Sequence, residues 1–140
     1  AKPVPYNPYN LKNQRWGEAI VGIAGVAINL LIAVIFAFIT RYAFAAGMND
    51  FAYLASIVTL TNLSLGLFNL IPIPPLDGYT VLRGILPYKL GLGLKEFEDR
   101  MRAGSMFTLI GLLFLFIFVL AAPFTMLIRT VFSFLTGLPI

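Results

Sequence analysis

The residue of this chain most able to do chemistry is Asp77, which follows three prolines in the segment NLIPIPPLDG, residues 69–78. It is the only acidic residue between Phe51 and Leu94, and the run before it is apolar enough to span a membrane. A charge at membrane depth is costly in free energy and therefore indicates a functional site. The chain contains no histidine and no cysteine, so it lacks the usual nitrogen and sulfur ligands of a metal site.

A carboxylate in this position has three roles open to it: a metal ligand, a proton carrier, or one half of an ion pair. The ion pair has a candidate partner in Arg83, six residues further on. Pro74 and Pro75 stiffen the approach, and Gly78 permits a turn that exposes the side chain, which favours the ligand role. The chain shows no internal repeat, which argues against a transporter that uses Asp77 to carry protons. From residue types alone, a site and a structural pair are equally supported.

The composition predicts an integral membrane protein. Hydrophobic residues make up 59% of the chain and charged residues 11%, whereas charged residues are about a quarter of an ordinary soluble domain. A chain of 140 residues has room for about three or four helices of ~20 residues each. We therefore expect an all-α, polytopic membrane helix bundle, with the lipid bilayer as its surroundings. The net charge of +4 is small and sits in loops, so nucleic-acid binding is not expected.

Hydropathy and proline content predict the elements that position Asp77, all within a single membrane domain. Pro123 is expected to kink or end the last span. The expected elements are an extended proline-rich segment over 1–16, membrane spans over 17–40, 51–71 and 105–122, a PxPPLDG segment over 72–82, a cytoplasmic loop over 83–104, and an interfacial or kinked helix over 123–138.

The distribution of positive charge predicts the orientation. Residues 1–16 and the 83–104 loop hold eight of the ten Lys and Arg residues, while Arg41 and Arg129 lie on the opposite side. Loops rich in Lys and Arg stay in the cytoplasm. The N-terminus and the 83–104 loop are therefore expected to be cytoplasmic, in a bacterial inner (plasma) membrane.

The first span carries small residues on one side. Gly22 and Gly25 lie three residues apart, and Asn29 follows one turn later on the same side. Small residues let another helix approach closely, and an amide within the membrane needs a partner. We expect this side to face inward, and ordinary helix packing is the simpler explanation of the glycines.

Four features of the chain together resemble the site-2 protease family of intramembrane zinc metalloproteases, in its short bacterial form without a PDZ domain. Residues 1–11 resemble the family's proline-rich segment. Residues 24–29, AGVAIN, resemble its AGPxxN motif, although Val26 stands where proline is usual. Residues 69–78 resemble its NxxPxPPLDG motif, which is the specific one, and the spacings between these segments also fit.

The resemblance implies that Asp77 is the third zinc ligand and that Asn69 lies near the metal, where its amide can stabilise an oxyanion. In the family the other two ligands are histidines of an HExxH helix, whose glutamate is the general base. Because this chain has no histidine, we expect it to be a C-terminal portion that is inactive by itself and needs zinc ligands from outside. The alternative is a non-catalytic membrane subunit or pseudoprotease in which Asp77 is structurally paired with Arg83.

The extended N-terminal segment suggests how a substrate is held. A membrane-embedded protein substrate must unwind to be cut, and its freed peptide groups then need hydrogen-bond partners. Asn7, Asn10 and Asn13 in this segment are candidates, and Asn29 is a further one. A surface turn is the equally supported alternative for the segment. The sequence carries no prediction of oligomeric state.

Overall fold

The computed structural model describes residues 14–104 and 106–140. Within these residues every regular element is helical, which confirms the predicted all-α fold. The elements are α1 (Gln14–Ala45), α2 (Asn49–Asn69), α3 (Asp77–Ile85), α4 (Tyr88–Ala103), α5 (Met106–Leu115) and α6 (Ala121–Thr136), with a π-helical turn (Phe116–Leu120) between α5 and α6.

Three helical stretches of the described chain are long and apolar enough to cross a membrane. They are Trp16–Ala45, Asn49–Asn69 and Phe118–Thr136. Large apolar side chains cover the outside of these helices, as a lipid environment requires; examples are Ile20, Leu31, Phe38, Tyr53 and Phe134, each at least 60% exposed. The length, composition and apolar surface together confirm the predicted polytopic membrane bundle.

The helices α1 and α2 form an antiparallel hairpin that is the centre of the bundle. Gly47, in the middle of the short connection, has a left-handed conformation with φ of 76°, which glycine adopts readily because it has no Cβ. The two helices approach closely because their facing residues are small. The buried residues of the hairpin include Ala19, Val26, Ala33, Ala37, Thr40 and Ala43 of α1 and Ala52, Ala55, Thr59, Leu63 and Gly66 of α2.

The last helix lies along this hairpin. Phe132 of α6 is buried in one core cluster with Ala33 and Leu63. Nearer the start of α6, the ring of Phe124 contacts Phe68 of α2 edge-on, with 6.1 Å between ring centroids. Edge-to-face aromatic pairs add stability beyond the area that they bury. These contacts hold α6 against both helices of the hairpin.

The third candidate span differs from the predicted boundaries. The sequence predicted a span over 105–122 that Pro123 would kink or end, but the apolar helical stretch runs through Pro123 to Thr136. Proline has no N–H to donate to the carbonyl group four residues earlier and crowds that group. The π-helical turn lies directly before α6 and includes that position, Val119. A wider turn relieves this crowding, so the helix continues.

The segment 83–104, predicted as a loop, is helical over most of its length. It comprises the end of α3, a short break around Pro87, and α4. The charged part of α4, KEFEDRMR, consists mainly of residues with high helix propensity. The polar composition that suggested a loop therefore belongs to a helix outside the three candidate spans.

Candidate functional site

Asp77 is the first residue of α3, and its position follows from the prolines before it. Helix α2 ends at Asn69, because proline cannot continue a regular helix, and residues 70–76 form a series of turns. The backbone N–H of Leu76 donates to the carbonyl oxygen of Ile73 at 2.9 Å. Leu76 is itself extended, and α3 begins directly after it. The Asp77 carboxylate thus lies in the first turn of a helix, where a negative charge is favoured by the helix dipole.

Position 78 requires glycine because two backbone segments approach each other closely there. A Cβ atom at this position would lie 2.2 Å from the carbonyl oxygen of Leu70 and 2.4 Å from its carbonyl carbon. No side chain fits there without movement of the backbone. The sequence suggested that Gly78 permits a turn; the structure shows that it lets the start of α3 pack directly on the end of α2.

The glycines of α1 bring that helix against Asp77. A Cβ atom at Gly22 would lie 3.4 Å from the Asp77 carbonyl oxygen, and one at Gly25 would lie 3.7 Å from Oδ2 of its carboxylate. Because neither residue has a side chain, the half-buried Asp77 carboxylate lies close to the backbone of α1. The prediction that these glycines allow another helix to approach is confirmed, and the helix is α3.

The two amides predicted near the site lie on α1 and α2. The Cβ atom of Asn29 is 3.5 Å from the position that a Cβ at Gly66 would take, so Asn29 faces α2, in agreement with its predicted inward orientation. Asn69 is the last residue of α2 and is half-buried. Among the described residues, no hydrogen bond joins Asp77 to either amide. The other predicted substrate-binding amides, Asn7, Asn10 and Asn13, lie outside the described residues.

An apolar pocket of about 160 Å³ lies beside the proline segment that leads to Asp77. Its volume suits an apolar side chain. It is lined by Phe68, Ile73, Pro74, Pro75, Leu76, Leu112 and Phe116.

Arg83 is not the partner of Asp77, so the predicted Asp77–Arg83 pair is wrong. The Arg83 guanidinium is ion-paired with Glu18 of α1 and, at 2.8 Å, with Glu98 of α4. Arg83 lies six residues beyond Asp77, about 9 Å further along α3, where carboxylates from two neighbouring helices reach it. Among the residues whose side chains the structure describes, from Trp16 onward, no Lys or Arg lies within ion-pair distance of Asp77.

These contacts form an ion-pair cluster, which we define as Glu18, Arg83, Glu98 and Arg102. Glu98 is only 5% exposed, and Arg102 is paired with it at 2.7 Å. The sequence predicted only a cytoplasmic loop over 83–104 and did not predict this cluster. Two signals pointed to it: Glu98 and Arg102 lie four residues apart, and Glu18 is an acid at the start of an apolar run. The cluster ties α3 to both α1 and α4.

Tyr79 adds a second link between α3 and α4. Its hydroxyl donates a hydrogen bond to the carbonyl oxygen of Leu94 at 2.7 Å. Burial raises the pKa of the Tyr79 phenol above its ordinary value, and the negative charge of Glu98 raises it further, while Arg83 acts in the opposite direction. The hydroxyl therefore keeps its proton and remains a donor at neutral pH.

The described residues do not form a complete zinc site. Within residues 14–104 and 106–140 there is no group of three or more Asp, Glu, His or Cys side chains able to hold a metal ion. A catalytic zinc ion needs about three protein ligands. Asp77 fits one of them, because its carboxylate is partly accessible and is not neutralised by a cation in the described chain.

Comparison with known proteins decides the family. The sequence model of peptidase family M50 matches residues 42–118, which are more than half of the chain. The match includes the whole PxPPLDG segment and therefore Asp77. The chain belongs to peptidase family M50. No solved structure gives a significant match to this M50 chain.

Two relatives carry protease names. The M50 chain is 38% identical over 94 residues to a Bacillus subtilis (strain 168) protein named "Putative zinc metalloprotease YwhC"; the match covers 62% of this chain and 43% of that protein. It is also 38% identical over 98 residues to a Methanocaldococcus jannaschii protein named "Zinc metalloprotease MJ0392", covering 70% of this chain and 28% of that protein. The M50 chain thus spans less than half the length of these relatives.

Proposed function

We propose that this chain is part of a zinc metalloprotease that hydrolyses peptide bonds of membrane-embedded substrates, and that Asp77 is one of its zinc ligands. The observation that carries the proposal is the placement of Asp77. Asp77 lies in the first turn of α3, and its carboxylate packs over Gly25 of α1, where no side chain intervenes. The surrounding bundle is apolar. No cation of the described chain neutralises it. Membership of family M50 and the names of the relatives support the same reading.

The remaining zinc ligands must come from outside these 140 residues, because the chain contains no histidine and no cysteine. We infer that they belong to an HExxH helix, and that the chain alone does not cleave peptide bonds. A zinc ion in such a site polarises the scissile carbonyl and lowers the pKa of its bound water. Within this chain, Asp77 contributes one oxygen ligand, and Asn69 at the end of α2 contributes an amide donor for an oxyanion.

Asp77→Asn tests the ligand assignment in the complete natural protein that contains this chain. Removal of the carboxylate charge should abolish stoichiometric zinc binding and cleavage of a transmembrane substrate. Asp50→Asn is the matched control, because Asp50 is an exposed acid in the first turn of α2. Zinc content by elemental analysis and cleavage of a reconstituted substrate are the two measurements.

Full zinc content and cleavage in Asp77→Asn would show that the ligand assignment is wrong. The sequence of the complete gene gives an independent test. An HExxH motif encoded upstream supports the protease, whereas a complete protein without it and without bound zinc is a non-catalytic relative.

We infer that the apolar pocket beside residues 72–76, of about 160 Å³, receives an apolar side chain of the membrane-embedded substrate. We infer further that Asn7, Asn10 and Asn29 donate and accept hydrogen bonds with the unwound substrate. Replacement of all three by alanine should raise KM for a transmembrane substrate several-fold and leave zinc content unchanged. An unchanged KM would dismiss these asparagines as substrate-binding residues.

A further inference from the structure

Arg129 lies on the outward surface of α6, within the apolar stretch Phe118–Thr136. Its neighbours one and two turns earlier on this side, Met126 and Ala122, are exposed apolar residues, and Met126 is 72% exposed. Among residues 14–104 and 106–140, no hydrogen bond or ion pair reaches the guanidinium. A permanent charge therefore stands on a surface that is otherwise suited to lipid.

The contacts of α6 place Arg129 inside the third candidate span, beside the centre of the helix bundle. It lies between Phe124, which contacts Phe68 near the end of α2, and Phe132, which packs in the central core with Ala33 and Leu63. Arg129 is seven residues from Thr136, the last residue of α6, or about 10 Å along the helix axis. The opposite end of the apolar stretch is further away. In a hydrocarbon core about 30 Å thick, an arginine at this depth is costly unless it is paired.

The other polar groups on this side of α6 need no partner. Thr125 and Thr130 are exposed, but their hydroxyls donate to carbonyl oxygens of α6 itself, those of Ala121 at 2.7 Å and Met126 at 2.8 Å. The requirement for an external partner therefore comes from Arg129 alone among these three residues. A guanidinium pairs best with a carboxylate, which it can bind through two parallel hydrogen bonds.

We propose that the Arg129 face, defined as Ala122, Thr125, Met126 and Arg129, binds a membrane-spanning helix that carries a carboxylate at the same depth. Charge complementarity selects this partner. Phosphate groups of lipids lie outside the hydrocarbon core, whereas a helix crossing beside α6 brings an acidic side chain directly to Arg129. The apolar residues that flank Arg129 on this face supply the packing surface for the rest of that helix.

The experiment uses the complete natural protein that contains this chain, reconstituted in phosphatidylcholine vesicles and labelled with a donor fluorophore. The probes are two polyleucine transmembrane peptides with an acceptor, one with Glu and one with Gln at the central position. We expect the Glu peptide to bind about tenfold more tightly than the Gln peptide, in keeping with polar contacts between membrane helices. Arg129→Leu should remove this preference. Arg41→Leu, at the end of α1, is the matched control and should retain it.

Arg129→Leu is expected to fold, because no hydrogen bond or ion pair of the described chain depends on Arg129, and circular dichroism checks its helicity. Equal binding of the two peptides, or an unchanged preference in Arg129→Leu, would overturn the proposal. Energy transfer between two labelled copies of the chain that depends on Arg129 without peptide would also overturn it, since the occupant would be a second copy. An effect of Arg129→Leu confined to vesicles with anionic phosphatidylglycerol would overturn it in favour of a lipid headgroup.

Discussion

Gly78 is the residue of the PPLDG motif whose replacement the structure restricts most directly. Its α-carbon lies so close to the Leu70 carbonyl group that a Cβ atom would be 2.2 Å from the oxygen. The contact is with backbone atoms, which cannot rotate away as a side chain can. The position of Asp77 therefore depends on the absence of a side chain at the next residue, Gly78.

Gly78→Ala should lower the free energy of unfolding by about 1–3 kcal/mol or more, because an added methyl group in a filled space forces the backbone to move. Gly93→Ala is the matched control: a Cβ at Gly93 meets nothing within 4 Å. In the middle of α4 alanine should stabilise by roughly 0.5–1 kcal/mol. Unfolding in detergent micelles with increasing denaturant measures both. Equal stability of Gly78→Ala and the parent would contradict the close packing of α2 and α3.

At the scale of elements, α3 is held in place by charged and polar side chains from two other helices. Arg83 is paired with Glu18 of α1 and Glu98 of α4, and its side chain is only 11% exposed. Tyr79 adds a hydrogen bond to the backbone of α4. Because α3 has only nine residues, it is too short to be a stable helix without such contacts. The ion-pair cluster and the glycines of α1 together hold the helix that carries Asp77.

Arg83→Gln should destabilise the fold by about 3–5 kcal/mol, because it leaves two largely buried carboxylates without their cation. Arg102→Gln is the control: Arg102 also pairs with Glu98 but its side chain is 68% exposed, so the loss should be about 1 kcal/mol or less. Thermal unfolding in micelles compares the variants.

A second substitution separates the charge effect from a general disruption. Adding Glu18→Gln and Glu98→Gln to Arg83→Gln should restore part of the lost stability, since the uncompensated charges are removed. Similar losses for Arg83→Gln and Arg102→Gln, or no recovery in the triple variant, would mean that the cluster does not hold α3.

At the scale of the whole molecule, the described part of the chain is one hairpin of spans with α6 along it, and the shorter helices α3, α4 and α5 lie outside the candidate spans. The positive residues of α3 and α4 lie on the side of the bundle where Asp77 begins α3. We therefore propose that this side is cytoplasmic and that the α1–α2 connection lies on the opposite face of the membrane.

The absence of cysteine makes this orientation easy to test. Asp99→Cys in α4 and Met48→Cys in the α1–α2 connection each introduce a single thiol at an exposed position. A membrane-impermeant maleimide added to intact bacterial cells should label Met48→Cys only. In inside-out vesicles it should label Asp99→Cys only. The reverse pattern, or labelling of both from one side, would contradict the proposed orientation.

Local properties of the sequence were sufficient to predict the membrane helices, the break before Asp77 and the closely approached side of α1. Mean hydropathy and run length predicted membrane helices, because the bilayer requires about 20 apolar residues in a regular helix. The prolines of residues 72–75 predicted the break before Asp77, since proline removes backbone donors wherever it stands. The spacing of Gly22 and Gly25 predicted a closely approached surface on α1. Each of these inferences depends on residues within about one or two helical turns of each other.

Contacts between distant residues were decided only by the tertiary structure. Arg83 is separated by 15 residues from Glu98 and by 65 from Glu18, so no local pattern distinguishes these partners from Asp77. The burial of Glu98, the contact of Gly78 with Leu70, and the continuation of the last helix through Pro123 likewise became visible only in the structure. The sequence by itself determined the apolar membrane helices, the break before Asp77 and the place of that carboxylate along the chain. Only the packing of the helices decided what surrounds that carboxylate, because each partner depends on the relative positions of whole helices.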